Sequence, residues 1–281
     1  MNRTFFSFGG GVQSTAIALR LISEPEAFKG LELPRLILFA DTGAETPETY
    51  KHVDLVIEEL KSANYQVVVV KAKRKDGSDA SILDNPENNR MGISTPPYFI
   101  KNPDGSKGLL LRQCTQEYKI IPIQKQIRSE LGYAPRKVIP RRSVNLWLGI
   151  SIDEIHRVKD NRDKWLANTY PLIQWNWDRA KCASYCLEKL GYAPPKSSCF
   201  FCPFTHTSEW VRRKQLEPKN FELAVKFDER IRSVPTFGGI KHPCYIHPSC
   251  YPLADVVSDQ MLLPLGKDYG FANECEGYCG S

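Results

Sequence analysis

Short apolar runs rich in aromatic and β-branched residues alternate along this chain with longer stretches whose apolar positions recur at helical spacing. Thr4 to Phe8 predicts a first strand, Leu36-Ile37-Leu38-Phe39-Ala40 a second, Tyr65 to Val70 a third and Leu146 to Ile150 a short fourth. Between them, Ala16, Ile17, Leu19, Leu21 and Ile22 mark a helix, and Pro47 to Ser62 predicts another. Gln116 to Leu131 is helical in pattern despite Pro122, and Ile152 to Val158 opens a further helix. Buried strands separated by helices are the mark of βαβ units, so the expected fold is α/β, a Rossmann-like parallel sheet with helices on both faces. Lys73 to Gly108 is rich in Asn, Asp, Gly and Pro and predicts a long loop, a candidate lid. Ligands of open parallel sheets bind beyond the carboxyl ends of the strands, where Gly9–Ser14, Asp41–Thr46 and Ser151–Arg157 would converge.

The junction after the first strand, Ser7-Phe8-Gly9-Gly10-Gly11-Val12-Gln13-Ser14-Thr15, changes a fold pattern into a candidate chemistry. Consecutive glycines admit positive φ and let backbone N–H groups approach a ligand, and the Ser14 and Thr15 hydroxyls sit where a helix begins. Such a junction suits phosphate or pyrophosphate. Its spacing fits neither the Walker loop nor the dinucleotide fingerprint. A glycine turn that merely links strand to helix is the plainer alternative.

Composition narrows the setting. The 281 residues suffice for one large domain or one domain with an appendage, and a net charge of +6 permits a nucleic-acid partner without demanding one. Lys71-Ala72-Lys73-Arg74-Lys75, Arg141-Arg142 and Arg212-Arg213-Lys214 are runs that could meet a phosphate backbone or simply face solvent. No apolar run approaches the roughly 20 residues of a membrane helix, and no leader pattern precedes the first strand, so the expected location is cytoplasmic, away from membranes.

Nine cysteines argue for thiols, metal or catalysis over a disulfide framework. Only Cys114 precedes residue 180; the rest are Cys182, Cys186, Cys199, Cys202, Cys244, Cys250, Cys275 and Cys279. The asymmetry suggests a nucleotide-binding part over residues 1–177 and a cysteine-rich, metal-binding helical part over 178–281. Cys199-Phe200-Phe201-Cys202 has the spacing that lets two thiolates reach one metal from a turn. Cys182 and Cys186 share one face of a helix beginning near Asp178, as ligands or as small core residues. His242 and His247, close to Cys244 and Cys250, form a cluster that is a small metal site or incidental.

With these segments in view, the chain resembles the PP-loop, or adenine nucleotide α-hydrolase-like, superfamily and its phosphoadenosine phosphosulfate (PAPS) reductase-like branch. Gly9-Gly10-Gly11-Val12-Gln13-Ser14 is similar to the superfamily's Ser-Gly-Gly-x-Asp-Ser loop, with Gly9 at the serine and Gln13 at the aspartate. Asp41-Thr42-Gly43 with Glu45-Thr46-Pro47 resembles its second-strand motif, and Gly149-Ile150-Ser151-x-Asp153-Glu154-x-x-Arg157 its fourth-strand loop. Gln113-Cys114-Thr115-x-x-Tyr118-Lys119-Ile120-x-Pro122 and Cys199-x-x-Cys202 are similar to the two cysteine segments of the iron–sulfur reductases, with Thr115 replacing one cysteine.

The resemblance implies an adenine nucleotide, ATP or adenylyl sulfate, held by Ser7, Gly9, Gly10, Gly11, Gln13, Ser14, Thr15, Asp41, Thr42, Gly43 and Gly149. Asp41 and Arg157 are the implied catalytic groups, with a helix-capping aspartate and an intrahelical ion pair to Asp153 as their plainer alternatives, and a glutamine at position 13 removes the carboxylate that would organise Mg2+ there. It also implies a [4Fe-4S] cluster on Cys114, Cys199, Cys202 and, as chosen fourth ligand, Cys182, with Cys186 and Cys275 as substitutes. Zinc is the alternative metal, because both take tetrahedral thiolates. Cys275, in Glu274-Cys275-Glu276-Gly277, is either a sulfur-attacking thiol of the reductase kind or structural.

Three activities stay open. The first is an ATP pyrophosphatase that adenylates an acceptor, a nucleic-acid base or backbone group, for sulfur transfer, with a sulfur donor protein or thiol reductant as partner. The second is a sulfonucleotide reductase using Cys275, and the third a nucleotide sensor with structural zinc. A homodimer is among the assemblies allowed.

Overall fold

Side-chain alternation along the central strands decides how the layers form. In the computed structural model, which describes residues 2–84, 96–233 and 242–257, β1 (Thr4–Ser7) lies between β2 (Leu36–Asp41) and β7 (Val144–Trp147), parallel to both. Phe5 pairs with Leu36 and Leu146, and these three point to one face of the sheet. Phe6 pairs with Ile37 and Trp147, and these three point to the other. Both faces are therefore apolar, and each must be covered by helices.

The sheet runs in the order β4-β3-β2-β1-β7-β8, with β3 (Val67–Lys73) and β8 (Leu166–Thr169) parallel to their neighbours and β4 (Asp79–Ala80) antiparallel at the edge. One face carries α1 (Val12–Ser23), α2 (Pro47–Ser62) and α5 (Arg179–Leu190); the other carries α3 (Ile121–Glu130) through Ile123 and Ile127. The expected α/β sheet with helices on both faces is what forms. The order reverses between β1 and β7, the crevice where such sheets bind ligands.

A second core lies beside the first. A three-stranded antiparallel sheet, β6 (Lys107–Leu109), β5 (Phe99–Lys101) and β9 (Cys244–Tyr245), packs with α6 (Thr207–Leu216), α7 (Pro218–Ser233) and α8 (Leu253–Val256), with the short α4 (Pro171–Gln174) left on the first core. Phe201 stacks on Phe227 at 3.9 Å, and the buried Asp228 accepts from the backbone of Ile246 and Leu253, both at 2.9 Å, fixing the C-terminal segment to α7.

Differences from the expected elements have local causes. The stretch 73–108 holds β4, β5 and β6 where a loop is expected, each strand too short for period-two alternation to register. Gln116–Ile120 is a turn of π-helix that hands over to α3, so Pro122 falls in a first turn, where its missing N–H costs nothing. Ile152–Arg157 is a 3-10 turn, not an α-helix, with Glu154 off helical geometry. Among the described residues no helix is long and apolar enough to cross a membrane.

Candidate active site

The cradle is built by a glycine that nothing else can replace. Gly10 has φ +73°, and a Cβ there would lie 2.6 Å from Val53 Cγ2 on α2, so the loop can pass under that helix only without a side chain. Gly11 caps α1, and the first intrahelical bond runs from Thr15 N–H to its carbonyl at 2.9 Å. The amides of Val12, Gln13 and Ser14 precede that bond and are the groups helix geometry leaves for an anion. The Ser14 hydroxyl donates to the Gly11 carbonyl at 3.2 Å, while Ser7 lies buried at the end of β1.

Thr15 turns away from the loop. Its Oγ1 is 2.9 Å from His52 Nε2, and His52 Nδ1 is 3.0 Å from the Tyr192 hydroxyl, so α1, α2 and the chain after α5 are tied through one imidazole. Burial pushes the His52 pKa down to about 4, and the ring is neutral at pH 7.

Gln13 is fully buried, and its amide gathers the fourth-strand loop. Nε2 donates to Glu154 Oε2 at 2.9 Å and Ser151 Oγ at 3.4 Å, while Arg179 donates to its Oε1 at 3.3 Å. Arg157 pairs with the other oxygen of Glu154. A carboxylate, Glu154, thus reaches position 13 from a distant loop, flanked by two guanidinium groups. Gly149 lies buried between Leu148 and Ile150 just beyond β7.

Asp41 ends β2 with its carboxylate fully engaged. One oxygen accepts from the Tyr50 hydroxyl at 2.7 Å and the Gly43 N–H at 2.8 Å, and the other faces Lys71 Nζ at 3.2 Å. Burial, and then the Asp41 carboxylate, hold the Tyr50 phenol far above its usual range. Thr46 caps α2 by accepting from Thr49 N–H at 3.2 Å, with Pro47 following in the first turn.

The cysteine turn is sewn to both loops. Ser197 Oγ donates to the Gly9 carbonyl, Thr49 Oγ1 donates to the Lys196 carbonyl at 3.3 Å, and Phe200 N–H donates to the Ala44 carbonyl at 2.9 Å. Cys199 forms an antiparallel bridge with Glu45, and its sulfur is 3.6 Å from Thr42 Oγ1. Burial foremost, then the Glu45 carboxylate, hold the Cys199 thiol well above the ordinary range, against the opposing pull of Lys119. Lys119 and Glu45, both buried, form an ion pair at 3.6 Å in the same place. Behind the turn, Arg213 donates to the Phe200 carbonyl at 3.0 Å, Ser198 Oγ at 3.2 Å and Glu209 at 3.2 Å, and is 2 % exposed.

Cys114, Cys199 and Cys202 line one pocket together with Thr42 and Lys119. Cys182 is placed elsewhere: it is fully buried in α5 against α1, in the core with Phe6 and Trp147. Cys186 shares that core, its thiol donating to the Val12 carbonyl at 3.6 Å and pushed up to about 12 by burial. Cys275 and Cys279 lie outside the described residues. Both ring nitrogens of His247 are engaged, with Thr207 at 3.0 Å and Ser249 at 2.8 Å. Among the described residues the seven cysteines are free of disulfides, and no three His, Cys, Asp or Glu side chains converge on one metal position.

Three residues that organise this site, His52, Ser197 and Arg179, belong to no motif, and Glu45 lies in the second-strand motif without a signal for its pairing with Lys119. The run Arg212-Arg213-Lys214 hid Arg213 among exposed charges. The Glu209–Arg213 pair, one helical turn apart, is the pattern that would have found it.

No family model matches the chain, and no curated protein matches it in sequence. Solved structures similar to it include two enzymes. One is the PAPS reductase of Candida auris in a phosphate complex, at 18 % identity and a TM-score of 0.43 over 67 % of this chain and 73 % of that one. The other is the U34-tRNA thiolase NcsA of Methanococcus maripaludis with its [4Fe-4S] cluster, at 13 % identity and a TM-score of 0.43 over 85 % of this chain and 76 % of that one.

Proposed function

We propose that the chain is an ATP pyrophosphatase that adenylates an acceptor, a nucleic-acid base or backbone group, for sulfur transfer beside a thiolate-held iron–sulfur centre. One observation carries this reading: the segment from Lys196 to Cys202 is bonded to the Gly9 carbonyl, to Thr49 and to Ala44, so the anion cradle and the three-cysteine pocket share one wall. A structural metal site would not need to be built from the walls of a phosphate cradle.

The amides of Val12 to Ser14 hold the β- and γ-phosphates, leaving the α-phosphorus at the mouth of the loop. Arg157 and Arg179, gathered by Glu154 and Gln13, offset the negative charge that grows as pyrophosphate departs. An acceptor oxygen attacks the α-phosphorus, the new P–O bond forms, and the bond to pyrophosphate breaks. The acceptor's oxygen then leaves as AMP when sulfide forms the C–S bond; a persulfide donor would instead leave a disulfide, which the thiol reductant partner would reduce to release the thiolated acceptor. Asp41, fixed by Tyr50, Gly43 and Lys71, supplies an immobile charge at the nucleotide's edge. Mg2+ travelling with the phosphates would find carboxylates at Asp41 and Glu154 rather than at position 13.

Thiolates are the donors an iron–sulfur group takes, and three cysteines line this pocket together with Lys119, although their side chains do not converge on one metal position as they stand. Cys114, Cys199 and Cys202 would hold it, and when bound it would supply a place for sulfur to bind and be activated. The test is product analysis with [α-32P]ATP and, separately, adenylyl sulfate, using anaerobically purified full chain and total RNA or DNA. AMP and pyrophosphate formed in step with acceptor support the reading. ADP and phosphate, reduction of adenylyl sulfate, or tight ATP binding without turnover would each overturn it.

A further inference from the structure

Most of the chain's net charge sits at one corner of the fold. Residues 134–142, in the loop between α3 and β7, and residues 159–164, on the return to β8, carry seven Lys or Arg against two Asp, so 15 residues hold +5 of the whole chain's +6. The fold joins the two segments: Arg142 N–H donates to the Lys164 carbonyl at 2.8 Å and Ser143 N–H to the Trp165 carbonyl at 3.1 Å. Arg128 on α3 donates to the Ala134 and Lys137 carbonyls at 2.9 and 2.6 Å, and the buried Ile139 plugs the loop into the sheet core, so the backbone that carries the charges is fixed. Arg142 pairs with Asp160 at 3.3 Å, Lys159 is engaged as well, and Asp163 accepts from the Gln124 amide at 2.5 Å. The remaining five cations, Arg136, Lys137, Arg141, Arg162 and Lys164, are exposed and form no ion pair with any described residue.

Like charges gathered this densely repel one another, a cost that a bound polyanion offsets. Two of the arginines add to that cost: Arg136 and Arg142 take left-handed backbone, φ +67° and +48°, where Gly or Asn would sit with less strain. The rings beside the patch, Tyr133 and Trp165, pack on the sheet core, so the patch addresses phosphates rather than bases. Residues 158–165 lead from Arg157, which pairs with Glu154 beside Gln13, back along the edge strand β8 to Lys164 at its foot. Since β8 has four residues, that track is about 13 Å long, or about four base-pair steps of a nucleic acid.

We propose that this face binds the phosphate backbone of a nucleic-acid strand through Arg136, Lys137, Arg141, Arg162 and Lys164, independently of base sequence. The inference rests on the adenylation reading for what the strand is brought to do, and it gives that reading a docking surface for its acceptor. Guanidinium and ammonium groups meet phosphate oxygens by charge-assisted hydrogen bonds, and each phosphate neutralised releases counterions, so the binding must weaken steeply with salt. The track aims the neighbouring residues of the strand at the carboxyl edge of the sheet, where the α-phosphorus would lie.

The test uses the full chain and short fluorescein-labelled RNA and DNA, single-stranded and duplex, read by anisotropy across a salt series, with calorimetry on ATP in parallel. Arg136→Glu/Lys137→Glu and Arg141→Glu/Lys164→Glu are the patch variants; Lys219→Glu/Lys226→Glu, both exposed on α7, changes net charge equally at another place. Circular dichroism melts matching wild type establish that each is folded. Each patch variant is expected to weaken strand binding about tenfold or more and to lower the salt slope by about 2, while the α7 variant and ATP affinity stay near wild type. Strand affinity that falls equally in the α7 variant, or in none of the three, would overturn the proposal, and so would binding indifferent to salt. Polyglutamate that competes as well as unlabelled strand would overturn it too, making an acidic protein the occupant. Strands that bind on the patch but stimulate no release of AMP from ATP would overturn the adenylation reading alone.

Discussion

His52 gives the sharpest physical test of how the cradle is held. Its ring takes up a proton near pH 4 in the folded chain, against 6.5 for an ordinary histidine, because it is buried. Below pH 6.5 the unfolded chain binds a proton that the folded chain refuses, so stability falls as the pH drops through that window and the loss is complete below about 4. The full difference is about 3 kcal/mol, of which about 2 kcal/mol is already lost at pH 5. Protonation also makes both ring nitrogens donors, so the contacts to Thr15 at 2.9 Å and Tyr192 at 3.0 Å must share hydroxyls that can then only accept. The perturbation is His52→Gln, whose amide cannot titrate. Urea unfolding of both proteins at pH 7.5 and pH 5 is expected to show wild type more stable at pH 7.5, with its advantage shrinking by about 2 kcal/mol at pH 5. Parallel pH profiles for the two proteins would refute the reasoning.

Other substitutions probe the same walls. Gly10→Ala must place a methyl in left-handed backbone 2.6 Å from Val53 Cγ2, so a stability loss above the roughly 1–2 kcal/mol of backbone strain alone is expected, with weaker ATP binding. Adding Val53→Ala should recover the clash but not the strain, read by urea midpoints. Arg213→Met leaves Glu209 paired with Arg212 alone and unties the Ser198–Phe200 turn, at an expected cost of about 1–3 kcal/mol, and Arg213→Lys should not restore it, since a single ammonium cannot reproduce the fork to three partners. Ser197→Ala removes the donor to the Gly9 carbonyl; a stability loss of about 1 kcal/mol and a higher Kd for ATP are expected, by melting and calorimetry.

Much of the sheet was legible because each central strand is a short apolar run buried on two faces, and because parallel topology fixes where the following loops meet. The helix at Pro47 was legible to the residue, since Thr46 and Pro47 are its cap and first turn. Cysteine spacing brought Cys199 and Cys202 together, but spacing alone could not separate a ligand from a core thiol. Cys182 sits on a helix face that the sequence shows and against a neighbour, α1, that it does not. Position 13 was visible as a missing carboxylate. The compensation was not, because Glu154 and Arg179 lie 141 and 166 residues away and reach Gln13 only through the fold. Arg213 and His52 were hidden for a related reason: burial, which gives each its role, is not a property of the local sequence.

The most direct test of the shared wall is iron and acid-labile sulfide analysis on anaerobically purified wild type, Cys199→Ser and Cys182→Ser, with ATP binding measured on the same preparations. The account predicts iron and sulfide in wild type and in Cys182→Ser, their loss in Cys199→Ser, and a changed ATP affinity in that variant, because the Cys199 sulfur lies 3.6 Å from Thr42 Oγ1 in the loop after β2. Iron retained in Cys199→Ser, or lost only in Cys182→Ser, would contradict it.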